Sequence, residues 1–262
     1  HLRSPRTGSI LRTTGTPFMY LTYGDSCWYT LQDSLYAEWI YQQNGNVDYN
    51  GQNVNTRLLS GYPAAQAITA NSTFYLKDMY FDGTFIGSAT TDIIFDKGPA
   101  YCRNNRASQF RNMYFIERGF LSDSVTVASL VADQALDIGN ANTIGFAQFY
   151  HDVTVSGSNS IDDLRLSNGG FNYSQAPGET LTLGTNLQVQ ADCNGLAGIR
   201  STVSGTPTNI SMTSGSVTVD YVSLNSVAAG GGASFTANNS VDGGNNTGWT
   251  INSPAPRTVY WV

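Results

Sequence analysis

A six-residue pattern recurs along this chain and constrains its fold more than any other feature. An Asp or Asn at the third position is followed by an apolar residue, any residue and a second apolar residue. The copies are Leu76–Phe81 (LKDMYF), Phe110–Phe115 (FRNMYF), Tyr150–Val155 (YHDVTV) and Ile161–Leu166 (IDDLRL), with a looser one at Thr90–Phe95 (TTDIIF). Apolar residues two apart are typical of a strand with one buried face.

The spacing of the copies predicts a β-solenoid. Counted at the Asp or Asn, the steps are 14, 20, 40 and 11 residues, consistent with coils of about twenty. In a solenoid, short strands pair in parallel with the coils above and below, and alternate side chains enter one core. Asp and Asn can turn the chain before a strand, because their side chains bond nearby backbone. We therefore predict an all-β, right-handed parallel β-helix with these residues stacked in a ladder. An antiparallel β-sandwich is the alternative, since it shows the same short strands and turns.

Composition argues against helices. Charged residues make up 12% of the chain, with only two lysines and three glutamates, the residues that usually coat exposed helices. The one segment that could form a helix is 125–137, but it opens with strand-like alternation, which favours a strand. We expect residues 26–252 to form the solenoid, residues 253–262 to open a following repeat, and residues 1–25 to be cut from a preceding unit.

The formal net charge of −6 disfavours nucleic acid and anionic membranes as partners. No run of about 18 apolar residues is present, so we do not expect the chain to be embedded in a membrane. The arginines gather in two groups, which we interpret as solvated edges rather than a polyanion site. They are Arg3, Arg6 and Arg12, and Arg103, Arg106, Arg111 and Arg118.

The three cysteines, Cys27, Cys102 and Cys193, form no CxxC pair, and their odd number leaves at least one thiol unpaired within the chain. We interpret them as buried small residues, with one long-range disulfide as the alternative. Asp242, Asn245 and Asn246 offer oxygen atoms close together and are a candidate calcium site. They lack the alternating spacing of a strong calcium loop, so a glycine turn that stacks Trp249 on the core is favoured and no cofactor is expected.

Candidate catalytic residues are sparse. Glycoside hydrolysis needs two carboxylates about 5–10 Å apart. The pairs available are Asp162 with Asp163, which would face opposite sides of one strand, and Asp78 with Asp82. Solvated turn residues are the favoured interpretation of both pairs. A lyase would need a basic residue beside acids, and Lys77 and Lys97 have only Asp78 and Asp96 nearby.

Nucleophilic catalysis usually requires a histidine base, and the chain contains only His1 and His151. We interpret His151 as a surface or half-buried residue. Aromatic residues that could stack on sugar rings cluster early, but core packing is the favoured interpretation. They are Trp28, Tyr29, Trp39, Tyr41 and Tyr49. We expect no catalytic residues and no enzymatic activity.

The segment Phe149–Ile251, about 40% of the chain, resembles the repetitive β-solenoid segments of giant surface proteins in Bacteroidota. The resemblance rests on FYHDVTVSGSNSIDDLRL, ETLTLGTNLQVQADC, GIRSTVSGTPTNISMTSGSVTVDYVSL and the glycine-rich GGASF…NSVDGGNNTGW, with Tyr260–Val262 opening the next repeat. It implies export by type IX secretion and attachment to the outer membrane through a longer precursor. Asp33-Ser34-Leu35 and Asp123-Ser124-Val125 fit the O-glycosylation sequence of such proteins, which makes Ser34 and Ser124 candidates.

The resemblance predicts a structural and adhesive module of a secreted cell-surface protein, acting as an adhesin, gliding-motility filament or stalk. The expected partners are other repeats of the same polypeptide and surface glycans or a substratum. A polysaccharide-active lyase or hydrolase on the same β-helix fold is the alternative, because enzymes also use β-solenoids.

Overall fold

The computed structural model describes residues 8–23, 28–86, 88–104 and 108–255. It is an all-β parallel solenoid of about 12 turns, which confirms the predicted fold class and excludes the sandwich. The right-handed sense of the coil stays a prediction. Two compact units divide the chain, unit 1 at His1–Phe146 and unit 2 at Ala147–Val262. His1, Arg3, Arg6, Cys27, Arg106 and Tyr260–Val262 lie outside the described residues.

Unit 1 consists of short strands and one turn of 3-10 helix, Ser88–Thr90, within its described part. Its strands are β1 (Ser9–Leu11), β2 (Phe18–Tyr23), β3 (Trp28–Leu31), β4 (Leu35–Gln42), β5 (Asn46–Asp48), β6 (Asn53–Gly61), β7 (Gln66–Ile68), β8 (Thr73–Leu76), β9 (Asp78–Phe81), β10 (Thr84–Ile86), β11 (Asp92–Phe95), β12 (Ala100–Asn104), β13 (Ser108–Phe115), β14 (Gly119–Leu121), β15 (Val125–Ala132) and β16 (Leu136–Ile138). Strand β17 (Thr143–Phe149) crosses from unit 1 into unit 2. The segment 125–137 is therefore strand, as its alternation predicts.

The core of unit 1 is built from inward side chains that repeat once per coil. Phe74 pairs with Ile93, Ile93 with Met113 and Met113 with Leu130, at steps of 19, 20 and 17 residues. All four side chains are completely buried. The expected coil of about twenty residues is confirmed, and stacking like side chains keeps the core continuous along the axis.

The long strands turn corners within a single strand, and the pairing of β13 with β15 skips only the corner residue Arg111. In β13 the alternation breaks at Arg111 and Asn112, which both face outward between buried Phe110 and Met113. A single strand therefore contributes to two faces of the coil. These corners arise from the backbone conformation inside a strand and not from a loop. This explains why the sequence shows few turn residues between the strands.

The predicted ladder of Asp and Asn residues forms only in part. Asp92 and Asn112 are directly in register, and the Asn112 Nδ2 donates to Asp92 Oδ1 at 2.8 Å. Asp78 does not join them, because it pairs with Tyr101 on the next face. The prediction was wrong there because the pattern occurs on more than one face of the coil.

Unit 2 continues the same construction with β18 (Val153–Val155), β19 (Asn159–Leu166), β20 (Asn172–Gln175), β21 (Thr180–Val189), β22 (Ala197–Ser201), β23 (Thr208–Met212), β24 (Ser216–Asp220), β25 (Val222–Asn225), β26 (Val227–Gly230), β27 (Ser234–Asn238), β28 (Val241–Asp242) and β29 (Trp249–Ile251). Its core includes the ladder Val153, Tyr173, Ile199 and Leu224, all buried. The steps along it are 20, 26 and 25 residues, so coils of this unit carry longer loops.

Two further copies of the sequence pattern meet asparagines one coil on. Asp152 accepts from the backbone N–H of Asn172 at 2.7 Å, and Asp163 lies in register with Asn186. Asp and Asn do stack between coils of unit 2, but with partners that the pattern does not contain.

Cys102 is buried and Cys193 is exposed, and neither forms a disulfide. Burial raises the pKa of the Cys102 thiol to about 12. The buried interpretation holds for Cys102 and is wrong for Cys193, which lies on the loop between β21 and β22. The described residues include no helix that is long and apolar enough to cross a membrane.

Candidate functional site

Unit 1 carries a row of aromatic side chains on the outer surface of one strand ladder, which we call the aromatic face. The outward positions run through β2, β4, β6, β9, β12 and β14, where Tyr20 pairs with Trp39 at one end and Tyr101 with Phe120 at the other. Its members are Tyr20, Trp39, Tyr41, Tyr80, Tyr101 and Phe120.

The rings of the aromatic face contact one another in two groups, Tyr20 with Trp39 and Tyr80 with Tyr101 and Phe120, and Leu58 and Ser60 of β6 lie between the groups. Ring centroids lie 5.5 Å apart for Tyr80 and Tyr101 and 4.7 Å apart for Tyr101 and Phe120, with nearly parallel planes in both pairs. Tyr20 and Trp39 are 4.4 Å apart and tilted. The in-register pairs Tyr20–Trp39 and Tyr101–Phe120 lie close to the ~4.8 Å separation of paired strands, so the backbone ladder sets their spacing. Tyr80 is in register with Arg103 and reaches Tyr101 diagonally.

The aromatic face remains open to solvent. Tyr20 is 53% exposed, Tyr80 39% and Tyr101 38%. Partial burial and the neighbouring Asp78 raise the pKa of the Tyr80 hydroxyl, which therefore stays protonated near neutral pH. Exposed aromatic surface with hydroxyl edges can pack on sugar rings or apolar material while donating hydrogen bonds, and such patches mark interaction sites.

The aromatic residues singled out from the sequence divide between core and surface. Tyr29 and Tyr49 are buried, and the Tyr49 hydroxyl donates to Gln42 Oε1 at 3.2 Å. Core packing is confirmed for those two. Trp39 and Tyr41 instead point outward into the aromatic face, and Trp28 is half-buried.

Sequence reasoning missed the other end of the aromatic face. In the copy LKDMYF, alternation with buried Met79 and Phe81 already places Tyr80 outward. No local signal shows that Tyr80 lies beside Tyr101, because that contact depends on the length of the intervening coil.

Unit 2 contains a shallow groove of about 480 Å³ on the outer side of β18, β20, β22 and β25. Its floor follows the outward positions Thr154, Ser174, Arg200 and Asn225, which are paired in register on successive coils. The other lining residues are Asn172, Gly198, Ser201, Thr202, Ser204 and Ser223.

The groove is polar, and one of its lining side chains, that of Arg200, is positively charged. The Arg200 Nε donates to Ser174 Oγ at 3.2 Å, and Arg200 is exposed. None of the described lining residues is a carboxylate. A Cβ at Gly198 would overlap the side chain of Asn172, so glycine keeps the floor low at that point.

The candidate carboxylate pairs lie at a corner of β19 and at the two ends of β9. Asp162 and Asp163 occupy a corner of β19 and both face outward, because the alternation breaks between buried Ile161 and Leu164. The expectation that they face opposite sides is wrong for this reason. Asp163 Oδ2 accepts from Arg165 Nη2 at 3.0 Å.

Asp78 is the first residue of strand β9 and Asp82 follows its last residue, so their Cα atoms are about 13 Å apart along an extended strand. Asp78 Oδ1 accepts from the backbone N–H of Tyr101 at 3.1 Å. The Asp78 carboxylate therefore supports the neighbouring strand β12.

The basic candidates also have local partners or lie open. Lys77 lies 3.7 Å from Asp78, and Lys97 Nζ donates to the Tyr75 carbonyl at 2.8 Å and lies 3.2 Å from Asp96. His151 is exposed just before β18.

Most of the described arginines lie on exposed surface, as the interpretation of solvated edges requires. Arg12, Arg103, Arg111 and Arg118 are all exposed. Arg111 makes a two-pronged contact with Asp92, and Arg118 lies 3.6 Å from Asp137.

The candidate calcium residues form a closed turn. Asp242 Oδ1 accepts from the Gly244 backbone and, at 2.6 Å, from Asn246 Nδ2. Asn246 Oδ1 accepts from the Val227 backbone at 2.9 Å, and Asn245 has a φ of 58°. Trp249 packs against buried Phe235 with ring centroids 5.1 Å apart, as the glycine-turn interpretation predicts.

No group of three or more metal-binding side chains occurs within the described ranges. Calcium binding at Asp242, Asn245 and Asn246 stays an alternative to the favoured glycine turn. Of the glycosylation candidates, Ser124 is exposed at a φ of 62°, and Ser34 is half-buried with its carbonyl bonded to Thr13 Oγ1. Their modification also stays a prediction.

No protein-family model, curated protein or solved structure matches this chain. The aromatic face of unit 1 and the groove of unit 2 are therefore the candidate functional surfaces of the described residues. Neither surface brings together a nucleophile, a base and an orienting group within the described residues. Both present rows of side chains at the spacing of the coils, an arrangement suited to binding extended or repetitive material.

Proposed function

We propose that this chain is a structural and adhesive module of a larger secreted cell-surface polypeptide. The observation that carries the proposal is the aromatic face. Exposed aromatic side chains on hydrogen-bonded strands form a binding surface that needs no catalytic groups. The ladder keeps the rings at fixed spacing, which reduces the entropy lost when a repetitive partner binds.

The cost of exposing these rings supports a binding role. A solvated face needs only small polar residues, whereas Tyr20, Tyr80 and Tyr101 leave large apolar areas in water. Surface glycans and a solid substratum both offer apolar patches edged by hydroxyl groups, which fit rings that carry hydroxyls.

The proposal includes a place at the cell surface. The resemblance to repetitive solenoid segments of giant Bacteroidota surface proteins favours type IX export and a role as an adhesin, gliding-motility filament or stalk. Each of those roles needs a rigid repetitive body, and stacked coils with a continuous core supply one within each unit.

Retention on solid material tests the adhesive role. The chain is incubated with microcrystalline cellulose, chitin and polystyrene beads, and the bound fraction is compared with that of the double variant Tyr101→Ser, Phe120→Ser. We expect retention of the chain on at least one material and a loss of about tenfold in the variant, since two buried aromatic contacts contribute about 1–2 kcal/mol.

Tyr114→Ser is the matched control, because Tyr114 is an exposed strand tyrosine outside the aromatic face. It should bind as the unchanged chain does, and all three proteins should give the same far-UV spectrum. No retention on any material, or equal loss in the control, would contradict the proposal. Release of reducing ends from the polysaccharides would favour the enzymatic alternative instead.

A further inference from the structure

The groove of unit 2 is lined by the guanidinium of Arg200, whose positive charge is not paired with any described acidic side chain. Among the described residues of unit 2 the only basic side chains besides His151 are Arg165 and Arg200. Arg165 pairs with Asp163 at 3.0 Å. Arg200 makes no ion pair with any described residue, and its guanidinium bonds only the Ser174 hydroxyl. A guanidinium in that position has most of its donors free for an anion.

The hydroxyl groups around Arg200 are also uncommitted. Thr154, Ser204 and Ser223 line the groove, and their hydroxyls make no hydrogen bond to the described part of the protein. Each hydroxyl can both donate and accept, as the hydroxyls of a sugar do. The lining thus combines one strong anion donor with several groups suited to alcohols.

The length of the groove distinguishes a chain-like ligand from a small ion. Thr154, Ser174, Arg200 and Asn225 lie on four successive coils, so the floor extends about 14 Å along the axis. The exposed loop residues Thr202 and Ser204 also line the groove. A floor of this length accommodates a short oligosaccharide.

We propose that this groove binds an acidic glycan, with a carboxylate or sulfate group on Arg200 and sugar hydroxyls on the serine and threonine rows. The chain's net charge of −6 opposes polyanions at long range, but screening limits that effect to about 8 Å at physiological salt. Asp152 lies beside the lining residue Asn172, whose backbone N–H donates to the Asp152 carboxylate at 2.7 Å. This inference deepens the proposed adhesive role and names a ligand class, but it uses none of the residues of the aromatic face.

Titration calorimetry on the full chain with three hexasaccharides tests the proposal. The probes are a galacturonate hexamer, a sulfated galactan hexamer and a neutral galactan hexamer. We expect binding of at least one acidic hexamer, weaker at high salt, and binding of the neutral one at least tenfold weaker. The better acidic hexamer identifies the acid group as carboxylate or sulfate.

Arg200→Gln should weaken binding of the acidic hexamer about 10- to 100-fold, the range expected for losing a charge-assisted pair. Ser223→Tyr, which fills the groove without changing charge, should weaken it similarly. Arg118→Gln removes an exposed arginine of unit 1 and should change nothing. Thermal unfolding of each variant confirms that it is folded.

Equal binding of neutral and acidic hexamers, no binding of either acidic hexamer, or an unchanged affinity in Arg200→Gln would overturn the proposal. The double variant Tyr101→Ser, Phe120→Ser separates it from the adhesive role of the aromatic face. That variant should keep its affinity for the acidic hexamer. Loss of affinity in that variant would show that the hexamer binds to unit 1 instead.

Discussion

Asp92 illustrates how single charges hold one coil to the next. Its carboxylate accepts from Arg111 Nε and from Asn112 Nδ2, both at 2.8 Å, and both donors lie one coil further along the chain. The hydrogen bond from Arg111, and then that from Asn112, lowers the pKa of Asp92 below its ordinary value. The contact replaces water on an exposed corner, so its contribution to stability is modest.

We predict that Asp92→Asn lowers the free energy of unfolding by up to about 1 kcal/mol at pH 7. A carboxyl whose folded pKa is depressed contributes stability above its unfolded pKa of about 3.9, and that contribution is lost as the pH falls through the folded pKa. The difference between the variant and the unchanged chain should therefore disappear in strong acid. Urea unfolding at about pH 7 and pH 2.5 measures both values.

Glu38→Gln is the matched control for this prediction, because Glu38 and Arg57 are also one coil apart but 3.4 Å away and half exposed. Its effect should be too small to measure. A difference for Asp92→Asn that persists unchanged in acid would show that the charge of Asp92 is not its cause.

Strands of unit 1 are stabilised mainly by inward ladders of apolar side chains. Leu76, Phe95, Phe115 and Ala132 follow one another in register, and Phe95 and Phe115 stack with ring centroids 4.4 Å apart. Each is at most 1% exposed. Strand β11 lies between two neighbours, so a cavity at Phe95 would remove contacts on both sides.

We predict that Phe95→Ala lowers the free energy of unfolding by about 3–5 kcal/mol, the cost of a large cavity in a packed core. Ile94→Ala, on the same strand but half-buried and outward, should cost less than about 1.5 kcal/mol. Equilibrium unfolding of both variants in urea compares them directly. Equal costs would mean that the inward ladder does not dominate the stability of this strand.

The sequence allowed the strands, the facing of their side chains and the mean coil length to be predicted. Alternation alone places Met79 and Phe81 inside and Tyr80 outside, since strand side chains alternate. Lateral neighbours could not be predicted, because coils differ in length. Asp78 reaches Tyr101 at a step of 23 residues, whereas Asp92 reaches Asn112 at 20.

The same reason explains why the groove of unit 2 was not predicted. Thr154 and Arg200 share its floor although they are 46 residues apart in the sequence, and the coils between them are of unequal length. A polar residue in an outward strand position is ordinary by itself. Only the register shows that an unpaired guanidinium stands among free hydroxyls.

At the scale of the whole molecule, the chain is a low-charge solenoid that presents side-chain rows at fixed spacing. Because the chain has few charged groups and many small polar ones, its surface repels other molecules only weakly, which suits contact with neutral or hydrated material. Within each unit, stacked coils can serve both as a spacer and as a binding surface. The proposed module of a larger surface polypeptide would use both properties.

The size and protease accessibility of the native polypeptide on intact source cells test this account most directly. An antibody raised against the 262-residue chain is used on denaturing gels before and after mild surface digestion. We predict a single species several times larger than this chain that is shortened by external protease while cytoplasmic markers stay intact. A stable species no larger than this chain, released into the medium or protected inside the cell, would contradict the proposed role as a surface module.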